Sequence, residues 1–335
     1  MGKYNVAIVG AAGAVGREML SIVQERGLPY NELRLLEKED GTFTTEDGVE
    51  YEAIEATPEV FEDIDIALFS AGSAASKKLA PEAAKRGTVV VDNSSAFRMD
   101  PEIPLVVPEV NPEDINNHKG IIANPNCSTI QMVGALKPIY DQVGIKRIVV
   151  STYQAVSGSG KAAMDELLEQ SKSILEGKEA KAEVYPHQIA FNALPHIDIF
   201  FDDGYTKEEM KMVNETKKIM GDDSIKVTAT TVRIPVLIGH AESVNLELGA
   251  ELEVKEAKEL LDAAEGVRVV DNPEELVYPM QNQIEEIDDI LVGRIRKDNT
   301  IDAGLNLWIV ANNLRKGAAL NTVQIAEKLI ENNAL

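Results

Sequence analysis

The chain alternates short apolar runs with longer stretches whose apolar residues recur every three or four positions. Tyr4-Asn5-Val6-Ala7-Ile8-Val9 is a mostly apolar run entering Gly10-Ala11-Ala12-Gly13-Ala14-Val15-Gly16, followed by a helical stretch carried by Met19, Leu20 and Val23. Glu32 to Leu36, Asp65 to Ser70 and Thr88 to Asp92 read as further strands, with a helix over Ser73 to Arg86. Continuous apolar strands separated by helices describe a parallel, doubly wound sheet covered on both faces. Farther along, the alternation loosens. Lys146 to Tyr153, Thr228 to Ile234, the stretch holding Val244, Leu246 and Leu248, Ile290 to Arg296 and Leu305 to Ala311 read as strands. Lys161 to Leu175 and Val254 to Ala264 read as helices, and Gln154 to Gly160 as a flexible turn. This order predicts an α+β unit around a largely antiparallel sheet. Gly317 to Glu331 is amphipathic and is expected to return to the first unit as a helix.

The strand, glycine turn and helix at the start predict a dinucleotide site. The spacing is GxxGxxG, not the commoner GxGxxG, but it serves the same purpose: bare backbone beside a pyrophosphate and a helix N-terminus aimed at it. Gly10, Ala12, Gly13, Ala14 and Val15 are therefore candidate cofactor residues. Ligands of doubly wound sheets sit beyond the carboxyl ends of the strands, which adds Ala71-Gly72-Ser73 and Asp92-Asn93-Ser94-Ser95, among them the Ser73 and Asn93 that the resemblance described below singles out. Arg98 follows in the same loop and reads equally well as a solvated charge. Glu37 stands about twenty residues past the glycine turn, where an acidic side chain accepts a hydrogen bond from a free ribose 2′-hydroxyl. A carboxylate there makes NAD possible, and Lys38 beside it could offset the charge toward a 2′-phosphate.

Composition narrows the function. At 335 residues and 44% hydrophobic, the chain is long enough for two domains with sizeable cores. A formal charge of −23 argues against nucleic acid and makes each basic residue in a plausible site more informative. No leader-like or membrane-length apolar run stands out, so a soluble cytoplasmic protein is expected. The sole cysteine, Cys127, lies in Ala123-Asn124-Pro125-Asn126-Cys127-Ser128-Thr129-Ile130-Gln131, where a loop turns into a helix. Packing is one reading of it. The other is a reactive thiol whose pKa is lowered by first-turn N–H groups that could also hold an oxyanion. Among the four histidines only His240 follows a strand carrying an arginine, whereas His118, His187 and His196 read as structural or solvated. No spacing suggests a metal site, and Glu285, Glu286, Asp288 and Asp289 read as a solvated acidic face.

An ordered set of motifs carries a family resemblance. Gly10 to Gly16, Ser70-Ala71-Gly72-Ser73, Asp92-Asn93-Ser94, Phe97-Arg98, Asn124 to Thr129, Tyr153 to Gly158 and Ala190-Phe191-Asn192 come first. Glu208 to Met212, Val232 to Val236, Gly239-His240 and Leu314 to Ala319 follow. Together they resemble the aspartate-semialdehyde dehydrogenases over essentially the whole chain. The resemblance implies an N-terminal Rossmann-like dinucleotide-binding domain over residues 1–125, completed by a C-terminal helix over 314–335. It also implies a second, α+β domain for catalysis and dimerisation over 126–313. The implied reaction is reductive dephosphorylation of L-aspartyl 4-phosphate to L-aspartate 4-semialdehyde with NADPH, toward lysine, threonine, methionine and isoleucine. Cys127 would be the nucleophile, His240 the acid/base and Gln154 a substrate-orienting residue. Arg98 and Lys211 would bind phosphate, Arg233 the α-carboxylate and Glu208 the α-ammonium. Ser157, Gly158 and Asn313 would join the dinucleotide contacts, in a homodimer or homotetramer. The family usually places serine and arginine after the second strand, where this chain has Glu37-Lys38.

The chemistry asks for the same residue types. An acyl phosphate needs a thiolate, a cationic clamp for its leaving group and an oxyanion donor. An imidazole titrates near working pH, and the planar fork of arginine suits a carboxylate. An N-acetylglutamyl-phosphate reductase would share the glycine turn, thiol and histidine, but that family surrounds its cysteine with Gly-Cys-Tyr-Pro. A cysteine hydrolase would leave the glycine turn unexplained. A non-catalytic redox sensor would leave Arg98, Gln154, Lys211 and Arg233 unexplained.

Overall fold

The computed structural model describes residues 4–45 and 48–335, which divide into two compact units. The first contains the described residues up to Asn126 together with Ala318–Leu335; the second is Cys127–Gly317.

The first unit is a Rossmann-type α/β layer structure. Its strands are β1 (Tyr4–Val9), β2 (Tyr30–Glu37), β3 (Gly41–Thr44), β4 (Glu50–Glu55), β5 (Ile66–Phe69), β6 (Val89–Asp92) and β7 (Ile121–Ala123), in the order β3-β4-β2-β1-β5-β6-β7. All pairs are parallel except β3 with β4, a hairpin that the sequence reading did not anticipate. Val6 to Val9, Ile66 to Phe69 and Val89 to Val91 are almost wholly buried, as strands covered on both faces must be. The helices are α1 (Ala14–Glu25), α2 (Gly72–Lys85) and α7 (Leu320–Glu331). One core packs Met19, Leu20 and Val23 of α1 with Val323, Ala326 and Leu329 of α7, so the chain's last helix belongs to this unit. The predicted single helix from Gly317 is divided: a π-helical turn, Arg315–Ala319, precedes α7.

Register aligns the carboxyl ends of the central strands, with Val9 opposite Leu36 and Phe69, and Phe69 opposite Asp92. Gly10 follows at φ +81, and a Cβ there would lie 2.8 Å from the Ser70 carbonyl oxygen. Only glycine fits this turn. A Cβ at Gly16 would stand 2.0 Å from the Gly10 carbonyl oxygen, so α1 can approach the turn closely only without a side chain there.

The second unit is an α+β structure on a six-stranded sheet, with β8 (Ile145–Gln154), β9 (Lys226–Arg233), β10 (His240–Leu248), β11 (Val267–Val269), β12 (Ile290–Lys297) and β13 (Gly304–Ala311). The order β11-β12-β13-β10-β8-β9 is antiparallel at its centre and parallel at its two outer pairs. Its helices are α3 (Cys127–Val143), α4 (Lys161–Leu175), α5 (Lys207–Met220) and α6 (Val254–Asp262). Met132, Ala135, Leu136 and Ile139 of α3 pack on Val244, Leu246 and Leu248, the alternating face of β10. Thr206 starts α5 with a full capping box: Glu209 N donates to its hydroxyl at 3.2 Å and Thr206 N donates to the Glu209 carboxylate at 2.8 Å. Gly221 closes α5 in the left-handed conformation. The turn expected to be flexible after Gln154 is instead a 3-10 turn, Val156–Ser159, with Val156 and Ser157 buried.

Candidate active site

His240, Gln154 and Arg233 lie at the ends of three adjacent strands, β10, β8 and β9, and register makes them neighbours. His240 pairs with Gln154, and Gln154 with Arg233, so the three form one lateral row across β10, β8 and β9. All three are buried. His240 begins β10 because Gly239, at φ +95, turns the chain into the strand; a Cβ there would meet Ile284 at 2.5 Å. The Ala155 N–H donates to His240 Nδ1 at 3.0 Å. The neutral ring therefore carries its proton on Nε2, which has no hydrogen-bond partner among the described residues. Burial, and then the charge of Arg233, push the imidazole pKa down to about 3. The ring is a neutral donor at physiological pH. Nε2 and Arg233 Nη1 both face the Gly158 α-carbon, where a Cβ would stand 3.5 Å and 3.0 Å from them.

Arg233 Nη1 donates to the Ala155 carbonyl at 2.5 Å, which fixes one edge of the guanidinium and leaves Nε without a hydrogen-bond partner among the described residues. Gln154 is held on both sides: Thr152 Oγ1 donates to its Oε1 at 3.0 Å, and its Nε2 donates to Glu208 at 3.2 Å. Glu208 and Lys211, three apart on α5, pair at 2.9 Å, and Lys211 also donates to Asp198 at 3.0 Å. Burial alone would lower the Lys211 pKa, but Glu208 and Asp198 outweigh it and raise it. Lys211 is thus a cation between two carboxylates. Asn313 Oδ1 accepts from Gly239 N at 2.7 Å and the side chain pairs with Ser157, tying the 3-10 turn to the start of β10.

Cys127 is the first residue of α3. The first N–H groups of a helix have no acceptor within it, and their partial positive charge favours a thiolate. A Cβ on Gly317 would lie 2.8 Å from the Cys127 Cβ, so glycine lets the π-helical turn pass against the thiol. One turn along α3, Gln131 Nε2 reaches the His240 carbonyl oxygen at 3.5 Å.

The remaining candidates lie in the first unit. Helix α1 has Gly13 at its N-cap, with no side-chain capping bond and no acidic residue in its first turn, so Gly10 to Val15 fit a pyrophosphate. The Ala12 N–H donates to Glu37 at 2.6 Å, so this half-buried carboxylate turns toward the glycine turn, whereas Lys38 is exposed. Arg17, which the sequence reading passed over, donates to the Ala12 carbonyl at 2.7 Å and lies over the Phe43 ring. Ser73 pairs with Ser95 at 3.1 Å, and Asn93 accepts from Asn124 at 2.7 Å. Arg98 is buried, not solvated, and donates to the Ser94 and Asn93 carbonyls at 3.1 and 2.9 Å. The acidic face around residue 288 is also not simply solvated, since Asp288 pairs with Arg315 at 2.7 Å. His118 is structural, bridging the Ala334 carbonyl and the Gly120 N–H. Among the described residues no cluster of His, Cys, Asp and Glu could hold a metal, and no helix is long and apolar enough to cross a membrane.

Thr152, Asp198, Gln131 and Glu242 carry no sequence signal of a role. Strand register brings Thr152 and Glu242 to the site, a helix face brings Gln131 and a loop brings Asp198, and none of these can be read before the fold is known.

Comparison with known proteins agrees with this layout. Residues 5–118 match the family described as semialdehyde dehydrogenase, NAD binding domain, and residues 136–316 the semialdehyde dehydrogenase dimerisation domain. The aspartate-semialdehyde dehydrogenase of Aquifex aeolicus is 59% identical over 334 residues, 98% of each chain. That of Bacillus subtilis is 52% identical over 340 residues, again 98% of each. A crystal structure of aspartate semialdehyde dehydrogenase II from Vibrio cholerae complexed with ASA is 50% identical, with TM-score 0.94 over 99% of each chain.

Proposed function

This chain belongs to the aspartate-semialdehyde dehydrogenase family, and we propose that it converts L-aspartyl 4-phosphate to L-aspartate 4-semialdehyde by reductive dephosphorylation. The observation that carries the reading is the row of His240, Gln154 and Arg233 across three strands of the unit that also begins with Cys127. The Cys127 thiolate attacks the acyl carbon, the bond from that carbon to the phosphate oxygen breaks, and a thioester remains. A dinucleotide held by the residues named below would, in its reduced NAD(P)H form, supply hydride to the thioester carbon. The resulting alkoxide collapses, the carbon–sulfur bond breaks, and aldehyde and thiolate are released.

His240 serves this cycle as the acid half of an acid/base. Its Nδ1 lone pair is engaged by the Ala155 N–H, so its free resource is the Nε2 proton, a donor to the oxygen that becomes negative in each tetrahedral species. Starting from a thiolate, the cycle needs no base and takes up one proton from solvent, which ends on the departing phosphate. Arg233 receives the α-carboxylate, Glu208 the α-ammonium, and Gln154, clamped by Thr152 and Glu208, orients the carbonyl. Arg98 and Lys211 receive the phosphate. Gly10, Ala12, Gly13, Ala14, Val15, Ser73, Asn93, Ser157, Gly158 and Asn313 hold the dinucleotide, with Glu37 and Lys38 toward its adenine ribose.

The enzyme works as a homodimer or homotetramer through the second unit. It acts in the cytoplasm, supplying lysine, threonine, methionine and isoleucine. NADP is the family expectation for its cofactor. The test is phosphate-dependent reduction of NADP⁺ or NAD⁺ on addition of aspartate semialdehyde. Reduction that does not need phosphate would overturn the acyl-phosphate assignment.

A further inference from the structure

The row beneath His240, Gln154 and Arg233 is also polar and also buried. Two residues farther into each strand stand Glu242, Thr152 and Thr231, paired in register across β10, β8 and β9. All three are fully buried, and the next row inward, Val244, Val150 and Ala229, is apolar. Thr152 has a use, since it holds Gln154. Glu242 has no evident use. Neither carboxyl oxygen has a partner in good hydrogen-bond geometry among the described residues, where the Gln131 amide is the polar group that acts on it.

We propose that Glu242 is a positioning residue for the thiol and the imidazole, acting as a neutral carboxylic acid that holds the Gln131 amide against the His240 carbonyl. Gln131 lies four residues after Cys127 and so on the same face of α3, one turn below the thiol. Its Nε2 already reaches the His240 carbonyl at 3.5 Å, while its Oε1 lacks a donor. A protonated Glu242 supplies that donor. The carboxyl is suited to it: burial raises its pKa well above the ordinary value and outweighs the Gln131 amide, which acts in the opposite direction. The chain Glu242–Gln131–His240 then fixes the start of α3 against the start of β10, the two elements that present Cys127 and His240. This inference rests on the assignment of those two residues as the reacting thiol and the oxyanion donor.

Two substitutions test it in the full-length enzyme with dinucleotide bound. Glu242→Leu keeps the volume and removes the donor, and Glu242→Gln keeps a neutral donor. Both relieve the cost of burying a carboxyl, so both should unfold at temperatures no lower than the wild type. That gain should grow as pH rises above the ordinary carboxyl pKa, where the unfolded chain but not the folded one has lost the proton. Glu242→Leu should lower kcat by about 10- to 100-fold with KM little changed, the scale of a sub-ångström to ångström misplacement. It should also shift the pH midpoint for iodoacetamide alkylation of Cys127. Glu242→Gln should rescue both.

Gln131→Leu should reproduce Glu242→Leu, and the double variant should be no worse than either single one, because the residues act as one chain. Unchanged kcat and alkylation in Glu242→Leu overturns the proposal, as does a Glu242→Gln enzyme equally impaired, or additive losses in the double variant. Wild-type activity and alkylation, run in the same assays, report separately on the underlying assignment.

Discussion

Cofactor choice is the property on which local chemistry and family habit disagree most, and Glu37 is where they meet. Its carboxylate accepts the Ala12 N–H at 2.6 Å, so it stands at the glycine turn where the adenine ribose of a dinucleotide is expected. Two like unit charges about 4 Å apart at an effective dielectric of about 20 repel by ~4 kcal/mol. Solvent, exposed Lys38 and Arg17 at the Ala12 carbonyl all reduce this. A net bias against a 2′-phosphate of about 1.5 to 3 kcal/mol remains, about 10- to 100-fold. The enzyme is therefore expected to show a weak NADP preference with substantial NAD-dependent activity. Glu37→Gln removes the charge but keeps an acceptor for the Ala12 N–H; Glu37→Ser removes both. Each should move the kcat/KM ratio toward NADP⁺ by that factor, measured with semialdehyde and phosphate saturating. A wild type that favours NADP⁺ by a large factor refutes the reasoning, as does a ratio that neither substitution moves.

Cys127→Ala should abolish turnover in both directions while leaving dinucleotide affinity nearly intact, measured by steady-state rates and fluorescence titration. His240→Asn should lower kcat by roughly 10²- to 10⁴-fold with a smaller effect on KM, whereas Arg233→Lys should mainly raise KM, since an ammonium cannot reproduce the planar fork; near-normal kcat in His240→Asn would remove its role. The His240 pKa falls from an unfolded value near 6.5 to about 3 on folding, so the unfolded chain binds the extra proton and stability is lost as pH drops from about 6.5 toward 3, by about 1.4 kcal/mol per unit; denaturant unfolding over that range should show a shallower slope in His240→Asn. Neutralising Arg98 or Lys211 should raise KM for phosphate more than for semialdehyde, and rates should fall with ionic strength; phosphate saturation unchanged in both variants would dismiss the clamp.

The first unit was legible because its signals are local. Four residues of continuous apolar character mark Ile66–Phe69 as a buried strand, and the glycine at 16 is demanded by a backbone clash within the turn itself, although the clash that demands glycine at 10 comes from Ser70 on the neighbouring strand end. The hairpin of β3 and β4 was missed because its residues are mostly exposed and polar, so nothing in their pattern reports the pairing. Helix α5 shows a different failure. Thr206 and Glu209 spell a capping box, but the helix is dense in charge, and its apolar stripe is reduced to positions such as Met212 and Ile219. Its chemistry could be inferred from resemblance before its shape could be read from the residues.

The site itself was legible one side chain at a time and not as a geometry. Cys127 stood out by being alone, and His240 by following Arg233, but nothing in the chain says that residues 240, 154 and 233 occupy one line. That line is a consequence of register: two parallel strands and one antiparallel neighbour must end level, and a slip of one residue would turn every one of these side chains to the opposite face. The same register explains why Glu242 was invisible. In isolation His240-Ala-Glu242 reads as a polar strand end grading into the apolar alternation of Val244, Leu246 and Leu248. Only with α3 laid over that face does Glu242 become a carboxyl in a dry layer, two residues from the imidazole and facing Gln131 one turn from the thiol. Burying a carboxyl in that layer, in a strand where valine would pack, opposes folding, and the Glu242 substitutions test whether it is kept because it aims the groups above it.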